Sequence, residues 1–291
     1  MINLAGDHDT RRINRRRYNL AGLMFWGWRR RNGEFPKSMR DLTPIRLRMD
    51  TQTICDAKVL LILTAIKTEY VAVKQVIDRW MADTPSAVRT DQYDQVAVEI
   101  IGIRAKRIRE VIPVYSHSRV AGVIMAGLAG ALSPELDTGD VIIDSSSTNA
   151  SSLAQFMDNM SGRKRVFVGP IHTSRHIVSS PAEKKKLYAE SQALAVEMEN
   201  SYAYEFALKR QIPWLAIRAI SDTAFESVPA EVMKFVDSAG NVKPWDITRG
   251  LARHPGLIPS VVRLGKHTQV ATRKLSDALA AVIRSGWPSN I

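Results

Sequence analysis

Apolar residues in this chain fall into short, nearly unbroken runs that alternate with longer stretches of helical spacing. Leu60-Leu61-Ile62-Leu63 and Trp214-Leu215-Ala216-Ile217, the second continued by Ala219-Ile220 beyond one Arg, read as strands buried on both faces of a parallel sheet. The same reading predicts strands over 59–64, 96–103, 120–126, 141–144 and 165–171. Between them, residues 68–82 place Tyr70, Val73, Ile77, Trp80 and Met81 on one side of a helix, and 106–115 forms a shorter one. Ser180-Pro181-Ala182-Glu183 opens a further helix with a capping box and Pro at its first position. From Glu197 to Arg210, Met198, Tyr202, Phe206 and Ala203, Ala207 recur at three- and four-residue spacing, and Pro213 stops the helix they predict. A last helix covers 259–284, after the turn His254-Pro255-Gly256, and no internal repeat is evident. Residues 145–152, rich in Ser and Thr, are expected as a polar loop and the best candidate for mobility. Strands and helices alternating in this way predict a three-layer αβα fold around a mostly parallel, mixed sheet.

Composition divides the chain. The first fifty residues carry 12 Lys and Arg against 5 Asp and Glu, whereas the rest carry 29 against 24, so most of the basic character belongs to the beginning. Residues 1–55 are therefore read as a basic, Arg- and Trp-containing extension, and 56–291 as one catalytic domain. The extension fits a loosely packed arm, a segment lying on anionic membrane or nucleic acid, or sequence ahead of a start at Met49. Its apolar stretch 19–28 is cut off by Arg29-Arg30-Arg31, unlike a signal peptide, and no apolar run approaches a membrane span. One cysteine, Cys55, excludes a disulfide framework and fits a cytoplasmic location.

Two segments carry candidate chemistry: Ala195-Val196-Glu197-Met198-Glu199 and Arg218-Ala219-Ile220-Ser221-Asp222. The second ends at the carboxyl end of a strand, where open α/β sheets bind ligands. Read locally, Asp222 caps the next helix and Glu197 and Glu199 favour a helix start, or all three face a binding crevice.

Together these segments resemble the signature of the nucleoside phosphorylase superfamily, most closely its 5'-methylthioadenosine/S-adenosylhomocysteine nucleosidase branch. Two further segments agree in order and spacing. Residues 59–69, ending in Glu69, resemble that family's first strand and loop. Gly122-Val123-Ile124-Met125-Ala126-Gly127-Leu128-Ala129-Gly130, continued by Gly139-Asp140-Val141-Ile142-Ile143, resembles its central strand, Gly-containing turn and Gly-Asp strand start. The likeness runs from about Asp56 to the end and implies the phosphorylase/hydrolase-like fold. It also implies cleavage of the N-glycosidic bond of an adenine-type, 5'-substituted nucleoside.

That reaction builds positive charge on ribose and negative charge on the departing base. The resemblance makes Asp222 the acid at purine N7, a role that burial at a strand end can support by desolvation. Asp here, where 6-oxopurine enzymes often have Asn, implies a 6-aminopurine, with Ser221 beside it. Glu199 matches the residue that accepts from the 2'- and 3'-hydroxyls, Met198 packs on the sugar, and Glu197 belongs to the same motif. Glu69 matches the Glu that orients attacking water; as a first-turn acid it also suits a helix dipole. Gly127 forms a tight turn near the ribose, His176 stands where a base-stacking aromatic is expected, and Ile177 offers backbone groups to the purine. His172 and His176 are spaced like a metal pair but lack a third ligand, so neither a metal nor a cofactor is expected.

Two departures matter. Ile101-Gly102-Ile103-Arg104 replaces the family's Ser-Gly-x-Gly, and no Gly-Asp-Pro-x-Arg phosphate loop follows the first strand. Arg104 and Arg107 are candidate phosphate ligands, or a solvated face; turned inward, they would make phosphate a co-substrate and phosphorolysis the reaction. The tail, including residues 225–229 and 255–264, looks like hopanoid-associated phosphorylases acting on lipid-linked adenosyl substrates. The remaining alternative is a nucleoside-binding sensor without turnover. The resemblance implies a homo-oligomer and no specific nucleic acid, with weak membrane-surface contact through the extension as a further candidate.

Overall fold

The computed structural model describes residues 58–83, 93–115, 119–161, 166–228, 256 and 258–288. The basic extension, 1–55, and the tail residues 229–255, on which the lipid-substrate reading partly rests, lie outside the described residues.

Eight strands form one mixed sheet: β1 (Lys58–Thr64), β2 (Gln95–Ile100), β3 (Arg119–Ala131), β4 (Val141–Asp144), β5 (Val166–Gly169), β6 (Ile171–Thr173), β7 (Ala195–Glu197) and β8 (Trp214–Asp222). Their order is β2-β1-β3-β8-β4-β5, with β7 pairing β3 and β6. The first four neighbours are parallel, whereas β4 runs antiparallel to β8 and β7 antiparallel to β3. The carboxyl ends of β2, β1, β3 and β8 therefore open on one rim, and β7 meets β3 from the opposite direction.

Strand alternation decides which helices go where. Leu60, Ile62, Ile124, Ala126, Leu215 and Ile217 face a core completed by α1 (Lys67–Asp83), α3 (Ala150–Ser161) and α6 (Ile258–Ser285). Leu61, Leu63, Val123, Met125 and Ala216 face the other layer, with Ala203, Phe206 and Ala207 of α5 (Asn200–Lys209). The capping box appears as expected at the start of α4 (Pro181–Ser191), where Ser180 accepts from Glu183 N.

Several expectations change. Of the helix expected over 106–115, only the single turn α2 (Ile108–Val111) and a 3₁₀ turn at Ile112–Tyr115 form. A 3₁₀ turn at Ile103–Ala105, with Arg104 and Ala105 at positive φ, precedes them. The helix expected from Glu197 starts at Asn200, because Glu197 ends β7. The strand over 165–171 is two strands split at Pro170, which has no N–H to continue the ladder. The polar segment 145–152 is anchored: Ser147 Oγ accepts from Ala216 N (2.9 Å), Thr148 Oγ1 accepts from Trp214 N (3.1 Å), and α3 begins inside it.

Candidate active site

Glu69, at the start of α1, is 3% exposed. Its Oε2 accepts from the N–H groups of Ala65 (2.9 Å) and Ile66 (3.1 Å), and its Oε1 accepts from Leu128 N in β3 (2.8 Å). It thus satisfies the amides leading into its helix and also spans to the ligand end of the sheet. Burial pushes its carboxyl above the usual range, against the opposing pull of Arg218 and the three amides.

Arg218 sits in β8 opposite Gly127 of β3 and is fully buried. One Nη2 donates to both Glu197 Oε2 (2.5 Å) and Asn200 Oδ1 (2.6 Å), and Glu199 Oε2 lies 4.0 Å away. Glu197 is held from its other sides by Thr173 Oγ1 (2.6 Å) and by the N–H groups of Glu199 (2.7 Å) and Asn200 (2.8 Å). Its side chain therefore caps α5 from three residues before the helix's first residue and pairs with the guanidinium at the same time. Nε and Nη1 of Arg218 and Nδ2 of Asn200 are buried without a protein partner.

Glu199 completes this cluster. Its Oε1 accepts the backbone N–H of Arg104 (2.9 Å), whose positive φ turns that amide inward. Burial pushes Glu199 up to about 7; Arg218 opposes this and Glu197 adds to it.

Asp222 ends β8 on the same rim. Lys184 of α4, fully buried, donates to its Oδ2 at 2.5 Å and to the carbonyls of Thr223 (2.7 Å) and Glu226 (3.0 Å). Ser221 Oγ lies 2.7 Å from Asp222 Oδ1 and 3.2 Å from Ala129 O. Desolvation was the environment expected for Asp222; the structure adds a buried ammonium. Beyond Asp222, Ala224 and Phe225 line an apolar cavity of about 430 Å³ together with Leu132, Pro134, Pro181 and Tyr188.

A buried Glu-Glu-Glu-Arg cluster and a lysine-held Asp thus stand toward the carboxyl ends of β3 and β8 in a three-layer α/β fold. Residues 147–243 match the phosphorylase superfamily. The fold is also similar to that of solved nucleosidase and hydrolase structures. Helicobacter pylori 5'-methylthioadenosine/S-adenosyl homocysteine nucleosidase is 16% identical, with a TM-score of 0.56, over 79% of this chain and 99% of that one. The futalosine hydrolase of H. pylori has the same identity, TM-score and share of this chain, over 98% of its own. The S. pneumoniae 5'-methylthioadenosine/S-adenosylhomocysteine nucleosidase, solved with a transition-state inhibitor, is 18% identical with a TM-score of 0.52, over 78% and 98%. No curated protein sequence matches the chain.

Of the candidate residues, Glu69, Glu197 and Glu199 gather around Arg218, and Ser221 and Asp222 end β8. Met198 and Ile177 are half-buried, and His176 is exposed, its backbone bonded to Ser174. Gly127 is not in a turn. It lies inside β3, where an added Cβ would collide with Arg218 Nη1 and fall 2.8 Å from Glu69 Oε1. Gly130, also within β3, plays the same part for Asp222, whose Oδ2 would be 2.9 Å from a Cβ there. The guanidinium of Arg107 pairs with Glu110 at the surface (3.2 Å), and the Arg104 side chain is exposed, so neither turns inward. Among the described residues no cluster of His, Cys, Asp or Glu is arranged to hold a metal ion, and no helix is long and apolar enough to cross a membrane.

Two buried cations were missed. Arg218 had a visible signal, a single charge inside an apolar run. Lys184 had none, since Lys184-Lys185-Lys186 reads as a solvated helix face.

The Glu199 environment has a measurable consequence. Its folded pKa lies above the usual carboxylate value, so its contribution to stability is complete below about pH 4.5 and is lost as pH rises through 7. The size is about 3 kcal/mol at most, shared with the coupled cluster. Melting temperature should fall between pH 5 and pH 8, and Glu199→Gln should flatten that slope. An unchanged slope in the variant would place the titration elsewhere.

Proposed function

We propose that this protein cleaves the N-glycosidic bond of a purine nucleoside and releases the free base, with a 5'-substituted adenine nucleoside as substrate. The observation that carries the proposal is the convergence of Glu69, Glu199, Arg218 and Asp222 on one strand-end rim, with Arg218 Nε and Nη1 unpartnered. Glu199 accepts from the sugar hydroxyls, and its Oε2 is not tied to the backbone. Arg218 offers the complementary donors. Glu69 Oε1 accepts one amide and keeps a lone pair, which orients water toward the anomeric carbon. Asp222 meets the purine as the acid, its carboxyl held by Lys184 and Ser221. The carboxylates also stabilise positive charge that develops on the ribose.

Hydrolysis fits this site better than phosphorolysis. The buried guanidinium is already paired with Glu197 and has Glu199 4.0 Å away, so it has little charge left to hold a phosphate dianion. The deciding experiment is chromatography of free adenine from adenosine, methylthioadenosine and adenosylhomocysteine, each with and without phosphate. Adenine should appear from at least one of them, independently of phosphate. Tight nucleoside binding with no base released from any would replace the enzyme with a sensor.

A further inference from the structure

The apolar cavity of about 430 Å³ beyond Asp222 takes no part in the proposed cleavage. Its place relative to the site is set by two neighbouring parallel strands. Gly127 of β3 pairs with Arg218 of β8 and lies against Arg218 and Glu69, the sugar end of the site. Gly130 pairs with Asp222 and lies against its carboxylate, the base end. Leu132 and Ala224, two residues farther along the chain from Gly130 and Asp222, both line the cavity. At about 3.3 Å per residue, Leu132 comes about 7 Å after Gly130, so sugar end, Asp222 and cavity follow one another in a row.

The walls of the cavity are held in place. Lys184 Nζ donates to the carbonyls of Thr223 (2.7 Å) and Glu226 (3.0 Å), which bracket Ala224 and Phe225, and α4 supplies Pro181 and Tyr188. Lys185 brings the one charge among the described lining residues, and Phe225 stands 72% exposed, apolar surface that an occupant would cover. A preformed lining of this kind favours hydrocarbon over a charged group, and its volume lies within the range of small-molecule sites.

We propose that this cavity is a subsite for an apolar substituent on the exocyclic nitrogen of the base, so that the protein takes 6-alkylamino or 6-arylalkylamino purine nucleosides in preference to unsubstituted ones. The inference rests on the reading that the purine meets Asp222. N7 and the 6-amino group share one edge of adenine. A base whose N7 faces Asp222 therefore carries its 6-substituent past that carboxyl, toward Leu132 and Ala224. A 5' group departs from the sugar, at the opposite end of the row.

The test is calorimetric binding of free adenine and free 6-benzylaminopurine to the full chain. Burial of the benzyl ring should make the second base bind about tenfold more tightly or better. Ala224→Leu, which fills the cavity, and Phe225→Ala, which removes a wall that is mostly exposed and so leaves folding intact, should each lower that ratio severalfold. A ratio of one or less in the unsubstituted protein, or a ratio unchanged in both variants, overturns the proposal. Adenine binding with no gain from the benzyl group refutes the subsite and leaves the purine reading standing; binding of neither base overturns both. Preferential binding of 6-benzylaminopurine with no base released from its riboside sinks the cleavage reading and keeps the subsite.

Discussion

Gly127→Ala is expected to abolish base release and to destabilise the protein, although it adds a single methyl group. The new Cβ would collide with Arg218 Nη1 and press on Glu69 Oε1. Neither neighbour has room to yield. Arg218 is held by Glu197 and Asn200, Glu69 by three amides, and Gly127 itself lies within β3, paired with Arg218 of β8. Overpacking in such a place costs about 3 kcal/mol, on the order of 10 °C in melting temperature. If Arg218 swings away instead, the buried pair with Glu197 is broken, at about 3–5 kcal/mol. Thermal melting followed by circular dichroism and the adenine-release assay report the two effects separately. A variant as stable and as active as the parent would show that Arg218 and Glu69 do not meet at this point.

Asp222→Asn should lower base release by about a thousandfold, the scale of a lost acid–base group. An amide has no acidic proton to give the departing purine. The substitution also leaves a fully buried ammonium facing a neutral group. The amide oxygen still accepts from Nζ, so the stability loss should be about 2 kcal/mol, below that of a pair broken outright. Circular dichroism should therefore show a folded protein with a lowered melting temperature. Full activity in this variant would remove Asp222 from the chemistry.

The layers of the fold were legible because burial on both faces writes itself as uninterrupted apolar runs, as in 60–63 and 214–217. The capping box before α4 was equally plain, because Ser, Pro and Glu each have a distinct backbone reason to stand there. What misled was local chemistry with two uses. Gly127 and Gly130 read as a turn, yet both lie within β3, where close approach by side chains forbids a Cβ. Glu197 read as a helix start, because a three-residue strand is too short to show a period of two. Residues 145–152 read as a loop, because their hydroxyls, which anchor β8, have the composition of a solvated segment. The carboxylates of the site were found by motif. Their cations were not, because pairing between Lys184 and Asp222, or Arg218 and Glu197, spans separate elements and leaves no spacing to read.

That separation bears on how the chain folds. Glu69 follows β1, Arg218 belongs to β8, and Glu197 and Glu199 arrive with β7, so the charges of one dry cluster are contributed by segments distant in sequence. A partly folded chain with β8 docked and β7 absent would bury a guanidinium with its principal counter-charge missing, a state penalised by several kcal/mol. Intermediates of that kind are thus disfavoured, and the rim that holds the site closes together with the middle of the sheet as a single cooperative event.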